Sequence, residues 1–226
     1  MAKVFIGVGH GGPDPGAVAG SFRESDANLY IALGLADELI GTGIEYKLSR
    51  TVDEDDRLIE EIAECKEYNP DIAVEIHCNA GGGEGFEVYY QTGSTRAESI
   101  KLAQCIEARV KATGQKSRGL KTKYTSSGKD YFGWLRQLEC PAVLTEGFFV
   151  DNATDRAKYD TEEELRALGR AYAHGILDYF GVSKPKDPIL YRVQVGAFRD
   201  RGNAEDYMKA IKEMGYPAYI MEVHDK

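Results

Sequence analysis

Histidine is scarce in this chain, with four copies in 226 residues, and cysteine is equally rare. The four cysteines, Cys65, Cys78, Cys105 and Cys140, lie far apart with no C-x-x-C pair. That spacing argues against a zinc knuckle built on paired thiols and predicts free, buried thiols rather than a disulfide framework. No apolar run approaches the ~20 residues of a membrane-spanning helix, and low-complexity tracts are absent. Excess positive charge is missing too. Against 37 Asp+Glu stand 28 Lys+Arg, a net charge of −9, which disfavours nucleic acid as a partner because its binding leans on cationic surface. No secretory leader is visible: Met1-Ala2-Lys3-Val4-Phe5 passes directly into an expected strand, so the chain reads as made in the cytoplasm. What is present is a globular composition, 42% hydrophobic, long enough for one sizeable α/β domain with a small appendage.

Strand and helix patterns alternate along the chain. Residues 3–9 read as a buried strand, followed by a Gly/Pro loop through Gly20. Leu29, Ala32, Leu33, Ala36, Leu39 and Ile40 recur at i, i+3, i+4 spacing and predict a helix over 24–40. A short strand at 44–48, a helix over 54–68 with Leu58, Ile59 and Ile62 inward, and a strand at 71–77 come next. Phe86, Val88 and Tyr90 alternate as a half-buried strand. Thr95 with Glu98 predicts a capping box for a helix over 96–112. Residues 114–130 read as a loop rich in Gly, Ser and Lys; Pro141 to Thr145 reads as a strand, and Thr161 with Glu164 caps a last helix ending at Phe180. The fold class expected is α/β, a mostly parallel twisted sheet with helices on both faces. It occupies residues 1–180; residues 181–188 are a polar, proline-containing linker. Residues 189–226 form a small C-terminal β-α-β segment, with strands at 189–195 and 218–223 around a helix at 203–214.

Two of the histidines stand at strand ends. His10 closes the apolar run from Lys3 to Gly9 and opens a Gly11-Gly12-Pro13 turn, and His77 closes Ile72-Ala73-Val74-Glu75-Ile76. Glu146 follows the strand ending at Thr145, and Glu24 opens the first helix. Ligands of open parallel sheets gather beyond the carboxyl ends of strands, which draws His10, His77 and Glu146 toward one site. Two imidazoles and a carboxylate make an open three-ligand zinc set, and a second carboxylate can act as base toward a water, the combination of a metallohydrolase. Each residue also has an ordinary reading. Glu24 stands three residues after Ser21, itself a capping-box spacing. Glu146 could pair with Arg136 or Arg156, and Glu75, on the strand face of His77, is a rival ligand. Gly7-Val8-Gly9-His10-Gly11-Gly12 fits a dinucleotide fingerprint, but Pro13-Asp14-Pro15-Gly16 stands where its helix would begin. His174 and His224 are expected to face solvent.

Gly9-His10-Gly11-Gly12-Pro13-Asp14-Pro15-Gly16-Ala17 resembles the first motif of the zinc-dependent N-acetylmuramoyl-L-alanine amidases, which cleave bacterial peptidoglycan. Arg23-Glu24-Ser25-Asp26-Ala27-Asn28-Leu29 resembles their second ligand region, Leu48-Ser49-Arg50 the following strand end and Ile76-His77-Cys78-Asn79-Ala80 their histidine motif. Pro141 to Phe148, with Asn152, is similar to their glutamate motif, and the match runs in order through about residues 3–180. The resemblance implies Zn2+ held by His10, Glu24 and His77, with Glu146 catalytic, and as substrate the amide between N-acetylmuramic acid and the L-alanine of the stem peptide. The family often has Asp-Pro where this chain has Gly7-Val8, and often Ser where it has Glu75. Glu75 and Phe148-Phe149 look more like the amidases of phage endolysins, which are made in the cytosol and act at the wall once the membrane is breached. The tail from Tyr191 to Phe198, through Ala204 and Gly215-Tyr216, resembles the first half of a SPOR repeat, a module that binds peptidoglycan glycan. Arg118, Lys121, Lys123 and Lys129 either face stem-peptide carboxylates or belong to an ordinary solvated loop. Two other classes stay open, a zinc carboxypeptidase or aminopeptidase and a non-catalytic wall-binding protein.

Overall fold

The computed structural model describes residues 1–55, 57–183, 194–214 and 217–221. The chain divides into two compact units, Met1–Lys186 and Asp187–Lys226. In the first unit a six-stranded sheet runs in the order β4 (Glu45–Leu48), β1 (Lys3–Val8), β5 (Ile72–Asn79), β8 (Ala142–Phe149), β6 (Phe86–Tyr90), β7 (Ser117–Lys121). All neighbours pair in parallel except β6 and β8, which are antiparallel. A two-stranded hairpin, β2 (Val18–Ala19) and β3 (Phe22–Arg23), precedes the first helix.

The central strands are apolar along their length because both faces are covered. On one face Val4, Ile6, Ile72, Val74, Ile76 and Val143 pack against α1 (Glu24–Leu39), α3 (Arg96–Ala112) and α6 (Glu162–Phe180). On the other, Phe5, Ala73, Ala142 and Leu144 meet Ile62 and Cys65 of α2 (Leu58–Tyr68) and Trp134 and Leu135 of α4 (Gly133–Gln137). The α/β sandwich is therefore as expected. A short helix, α5 (Ala153–Arg156), follows β8, capped by Asn152, whose side chain accepts from the Thr154 and Asp155 amides.

Several local expectations need correction. Thr161 and Glu164 form the capping box at α6, but Thr95 does not cap α3; its hydroxyl donates to Gln91 Oε1 instead. A Thr-x-x-Glu spacing leaves both outcomes open, and the buried Gln91 amide competes for the hydroxyl. The expected loop over 114–130 contains β7, an edge strand with only a weak apolar alternation. Helix α2 starts at Leu58, and Ile59 points to solvent, 74% exposed, so the inward residues are Glu61, Ile62 and Cys65. All four cysteines are free, but only Cys65 and Cys78 are fully buried.

In the second unit, α7 (Arg201–Glu213) is capped by Asp200, which accepts from the Asn203 amide at 3.0 Å, and the Phe198 and Tyr207 rings lie 5.3 Å apart. Of the strands expected there, residues 189–193 and 222–223 lie outside the described residues, and 194–195 and 218–221 are not in strands.

Candidate metal centre

Carboxyl ends of β1 and β5 lie side by side, and backbone economy at glycine brings their histidines together. A Cβ on Gly9 would fall 2.2 Å from His77 Cε1, so only glycine lets the ring lie over that backbone. His10 itself has φ 64°, a left-handed conformation that is costly for a β-carbon-bearing residue. A tight turn compensates: Gly11 and Asp14 exchange backbone bonds at 2.9 and 3.0 Å, and Asp14 Oδ2 reaches back to His10 Nδ1 at 2.8 Å. The two imidazoles stand edge to face with ring centres 4.9 Å apart.

Glu24 is the first residue of α1, and Arg23, not Ser21, occupies the N-cap position without a side-chain cap bond. The capping-box reading is thereby overturned. The Glu24 carboxylate turns off its helix, accepting from the Ala17 amide at 2.8 Å and the Cys78 amide at 3.0 Å. Its Oε1 lies 3.3 Å from His10 Nε2 and 3.0 Å from His77 Nδ1. Asn28, one turn on, donates to the Gly9 carbonyl at 3.0 Å. Arg50, fully buried, donates to the carbonyls of Val8, Gly9 and Ser25 at 3.0, 3.3 and 2.7 Å, tying together the segments that carry His10 and Glu24.

One ligand atom from each of His10, Glu24 and His77 lies within 4.8 Å of the others. Two nitrogens and one carboxylate oxygen are a donor set suited to zinc, so these residues fit such an ion. The rival, Glu75, is not in this cluster: its Oε1 lies 3.3 Å from His77 Nε2, on the opposite ring nitrogen. Burial disfavours a charged Glu24, but the bonds from His10 and His77 outweigh it and hold the carboxyl well below the usual range. Burial likewise opposes charge on the histidines, yet the bond to Glu24 raises His10, and those to Glu24 and Glu75 raise His77 well above an ordinary imidazole.

Glu146 sits on β8 in register with His77 of β5 and Glu87 of β6. A register shift follows between His77 and Asn79, the kind of irregularity that re-aims side chains beside a site. Neither arginine of the ordinary reading binds it: Arg136 donates to the carbonyls of Asp130 and Tyr131, and Arg156 pairs with Asp160. Burial pushes the Glu146 carboxyl up to about 7, the His77 charge opposes the shift, and the charges of Glu24 and Glu87 add to it. Its Oε2 is buried without a hydrogen-bond partner. Glu87 is bound by Arg118 Nε at 2.5 Å and Asn79 Nδ2 at 3.2 Å. Of the basic residues flagged in the sequence, Arg118 is thus engaged, and Lys123 lies 3.9 Å from the Tyr131 ring centre. A cleft of about 440 Å³ opens beside His10 and His77, lined also by Leu58, Phe132, Trp134 and Leu144. His174 pairs with Glu38 at 2.8 Å, away from this cleft, and His224 lies outside the described residues.

Asp14, Asn28, Arg50 and Asp155 support this arrangement and were not singled out by the sequence. Asp155, fully buried, accepts from the Gly85 and Phe149 amides at 2.8 Å each and from Gln115 at 3.0 Å. Asn28 and Arg50 act through backbone carbonyls that become neighbours only in the fold, whereas Asp14 acts locally, on the ring of His10 four residues earlier.

A family model described as N-acetylmuramoyl-L-alanine amidase matches residues 4–178, and a SPOR domain model matches residues 159–226. The second match begins earlier than the tail resemblance, overlapping α6, whose Leu165, Leu168, Tyr172 and Ile176 belong to the core of the first unit. A sporulation-specific N-acetylmuramoyl-L-alanine amidase of Bacillus subtilis (strain 168) is 32% identical over 98% of this chain and 85% of its own length. An endolysin of Bacillus phage SPP1 is 32% identical over 81% of this chain and 68% of its own. Among solved structures, the catalytic domain of CwlV, an N-acetylmuramoyl-L-alanine amidase from Bacillus (Paenibacillus) polymyxa var. colistinus, has a TM-score of 0.71. It is 27% identical and covers 81% of this chain and 100% of its own.

Proposed function

The chain belongs to the N-acetylmuramoyl-L-alanine amidase family, and we propose that it uses a zinc ion held by His10, Glu24 and His77 to hydrolyse the amide between N-acetylmuramic acid and L-alanine in bacterial peptidoglycan. Membership makes it an amidase of the cell wall; the ion, its ligands and the catalytic glutamate are what we add. The observation that carries the reading is the convergence of His10 Nε2 and His77 Nδ1 on one oxygen of Glu24, with the half-buried Glu146 in register beside His77.

When bound, zinc supplies a Lewis acid that polarises the scissile carbonyl and makes a water more acidic. Glu146 takes a proton from the attacking water and returns it to the nitrogen of L-alanine as the amide bond breaks. A carboxyl group raised to about 7 is suited to both transfers at neutral pH. Glu24 and the two imidazoles stay in place because Asp14, Asn28 and Arg50 fix their surroundings. The open cleft beside the histidines, apolar at Leu58, Phe132 and Trp134, gives a substrate access to His10 and His77. The segment from residue 189 onward, within the SPOR match, serves to hold glycan strands. Among the described residues no helix is long and apolar enough to cross a membrane, and action at the wall is the role we assign, of autolysin or endolysin type.

Mass spectrometry of isolated walls digested by the purified chain tests the reading. Intact stem peptides bearing a free L-alanine amine, freed from glycan and lost on chelation, are expected. Shortened stem peptides with the muramoyl amide intact would instead mean a peptidase, and no soluble product a binding protein.

A further inference from the structure

β1 and β5 run in parallel register, with Gly7 opposite Glu75. Glu75 is buried, yet it is not one of the three candidate ligands. Its carboxylate bends over Gly7: a Cβ on Gly7 would fall 1.9 Å from Glu75 Oε2. Any side chain at position 7 would evict it, so Gly7 is the seat of this acid. From that seat Oε1 lies 3.3 Å from Nε2 of His77, while Nδ1 of the same ring lies 3.0 Å from Glu24. Asp14 stands in the same relation to His10, 2.8 Å from Nδ1 while Nε2 faces Glu24. Each imidazole is thus flanked by a carboxylate on the nitrogen that faces away from Glu24. Asp14 holds its histidine from an exposed turn, where water screens the interaction, and Glu75 from the buried face of the sheet. Oε2 of Glu75 is buried without a hydrogen-bond partner, a costly arrangement for an acid with no task beyond filling space.

We propose that Glu75 is a positioning residue of the metal centre. Seated on Gly7, it accepts the Nε2–H of His77, which fixes the tautomer with Nδ1 unprotonated toward the ion and makes that nitrogen a stronger donor. This inference rests on the reading of His10, Glu24 and His77 as ligands. The geometry also makes the acid transferable between strands. An aspartate at 7 would place its Cβ 1.9 Å from the present Glu75 Oε2 and 2.7 Å from Glu61 Oε1, so with a small residue at 75 its carboxylate enters the space vacated beside His77.

The test is the zinc affinity of the full chain, by competition with a chromophoric chelator, for wild type, Glu75→Gln, Glu75→Ser and the double variant Gly7→Asp/Glu75→Ser. Circular dichroism of each in chelator reports folding. Glu75→Ser is expected to weaken zinc by about 10-fold to 100-fold, and the isosteric Glu75→Gln, which keeps an acceptor but not its charge, by about tenfold. The double variant recovers most of the loss, and cobalt spectra, shifted in Glu75→Ser, return toward wild type. Wild-type affinity in both folded single variants overturns the proposal, as does a folded double variant that binds no better than Glu75→Ser. A wild-type chain without measurable zinc affinity removes the ligand reading beneath it as well, and so separates the two failures.

Discussion

Glu146 holds its proton more tightly than an exposed glutamate because burial penalises its charge and the neighbouring carboxylates of Glu24 and Glu87 repel it. In the proposed mechanism such a group matters to turnover rather than to metal or fold. Glu146→Gln is expected to keep stoichiometric zinc and an unlowered melting temperature while kcat falls by about 100-fold to 10,000-fold; elemental analysis beside a wall dye-release assay reads both. Activity within about threefold of wild type would remove the residue from the chemistry. At this scale the sequence was informative where chemistry and backbone position coincide. His10, His77 and Glu146 could be picked out because each follows an apolar run, although β5 continues past His77 to Asn79 and β8 past Glu146 to Phe149. Glu24 was ambiguous, its spacing from Ser21 equally suited to a cap, and only its bonds to the Ala17 and Cys78 amides decide between the two. Arg50 lay in a quoted motif, but its grip on the carbonyls of Val8, Gly9 and Ser25 has no sequence signature.

Helices α1 and α6 cross at two glycines. A Cβ at Gly169 would lie 1.9 Å from the Ile31 carbonyl oxygen, and one at Gly34 would lie 2.3 Å from that of Arg166. Neither contact can be relieved by turning a side chain, since the obstacle is backbone. Gly169→Ala is therefore expected to destabilise the first unit by about 1–3 kcal/mol despite alanine's better helix propensity, lowering the melting temperature by several degrees in differential scanning fluorimetry. An unchanged or raised melting temperature would mean the helices are free to separate. Elements with strong periodicity were legible, and α1, α3, α6 and the central strands fall close to where the apolar pattern puts them. β7 was not, because an edge strand of Ser117, Arg118, Gly119, Leu120 and Lys121 buries too little to alternate clearly. The two Thr-x-x-Glu boxes show the limit of local pattern: Thr161 caps its helix, while Thr95 turns to Gln91, a neighbour the spacing does not reveal.

At the scale of the molecule, a mostly parallel sheet delivers the ends of β1, β5 and β8 to one edge, and α1 brings Glu24 to meet them. The three candidate ligands are separated in sequence, so they meet only in the folded first unit. Gly7 and Glu75, far apart in sequence, also become intelligible only here, as partners across the β1–β5 pair. The central claim is that His10, Glu24 and His77 hold one ion. Anomalous diffraction from crystals of the zinc-loaded chain, measured on both sides of the zinc absorption edge, tests it most directly. The account predicts a single strong peak about 2.0–2.2 Å from His10 Nε2, His77 Nδ1 and a Glu24 oxygen. Zinc bound elsewhere on the chain, with no peak among these three side chains, would contradict it.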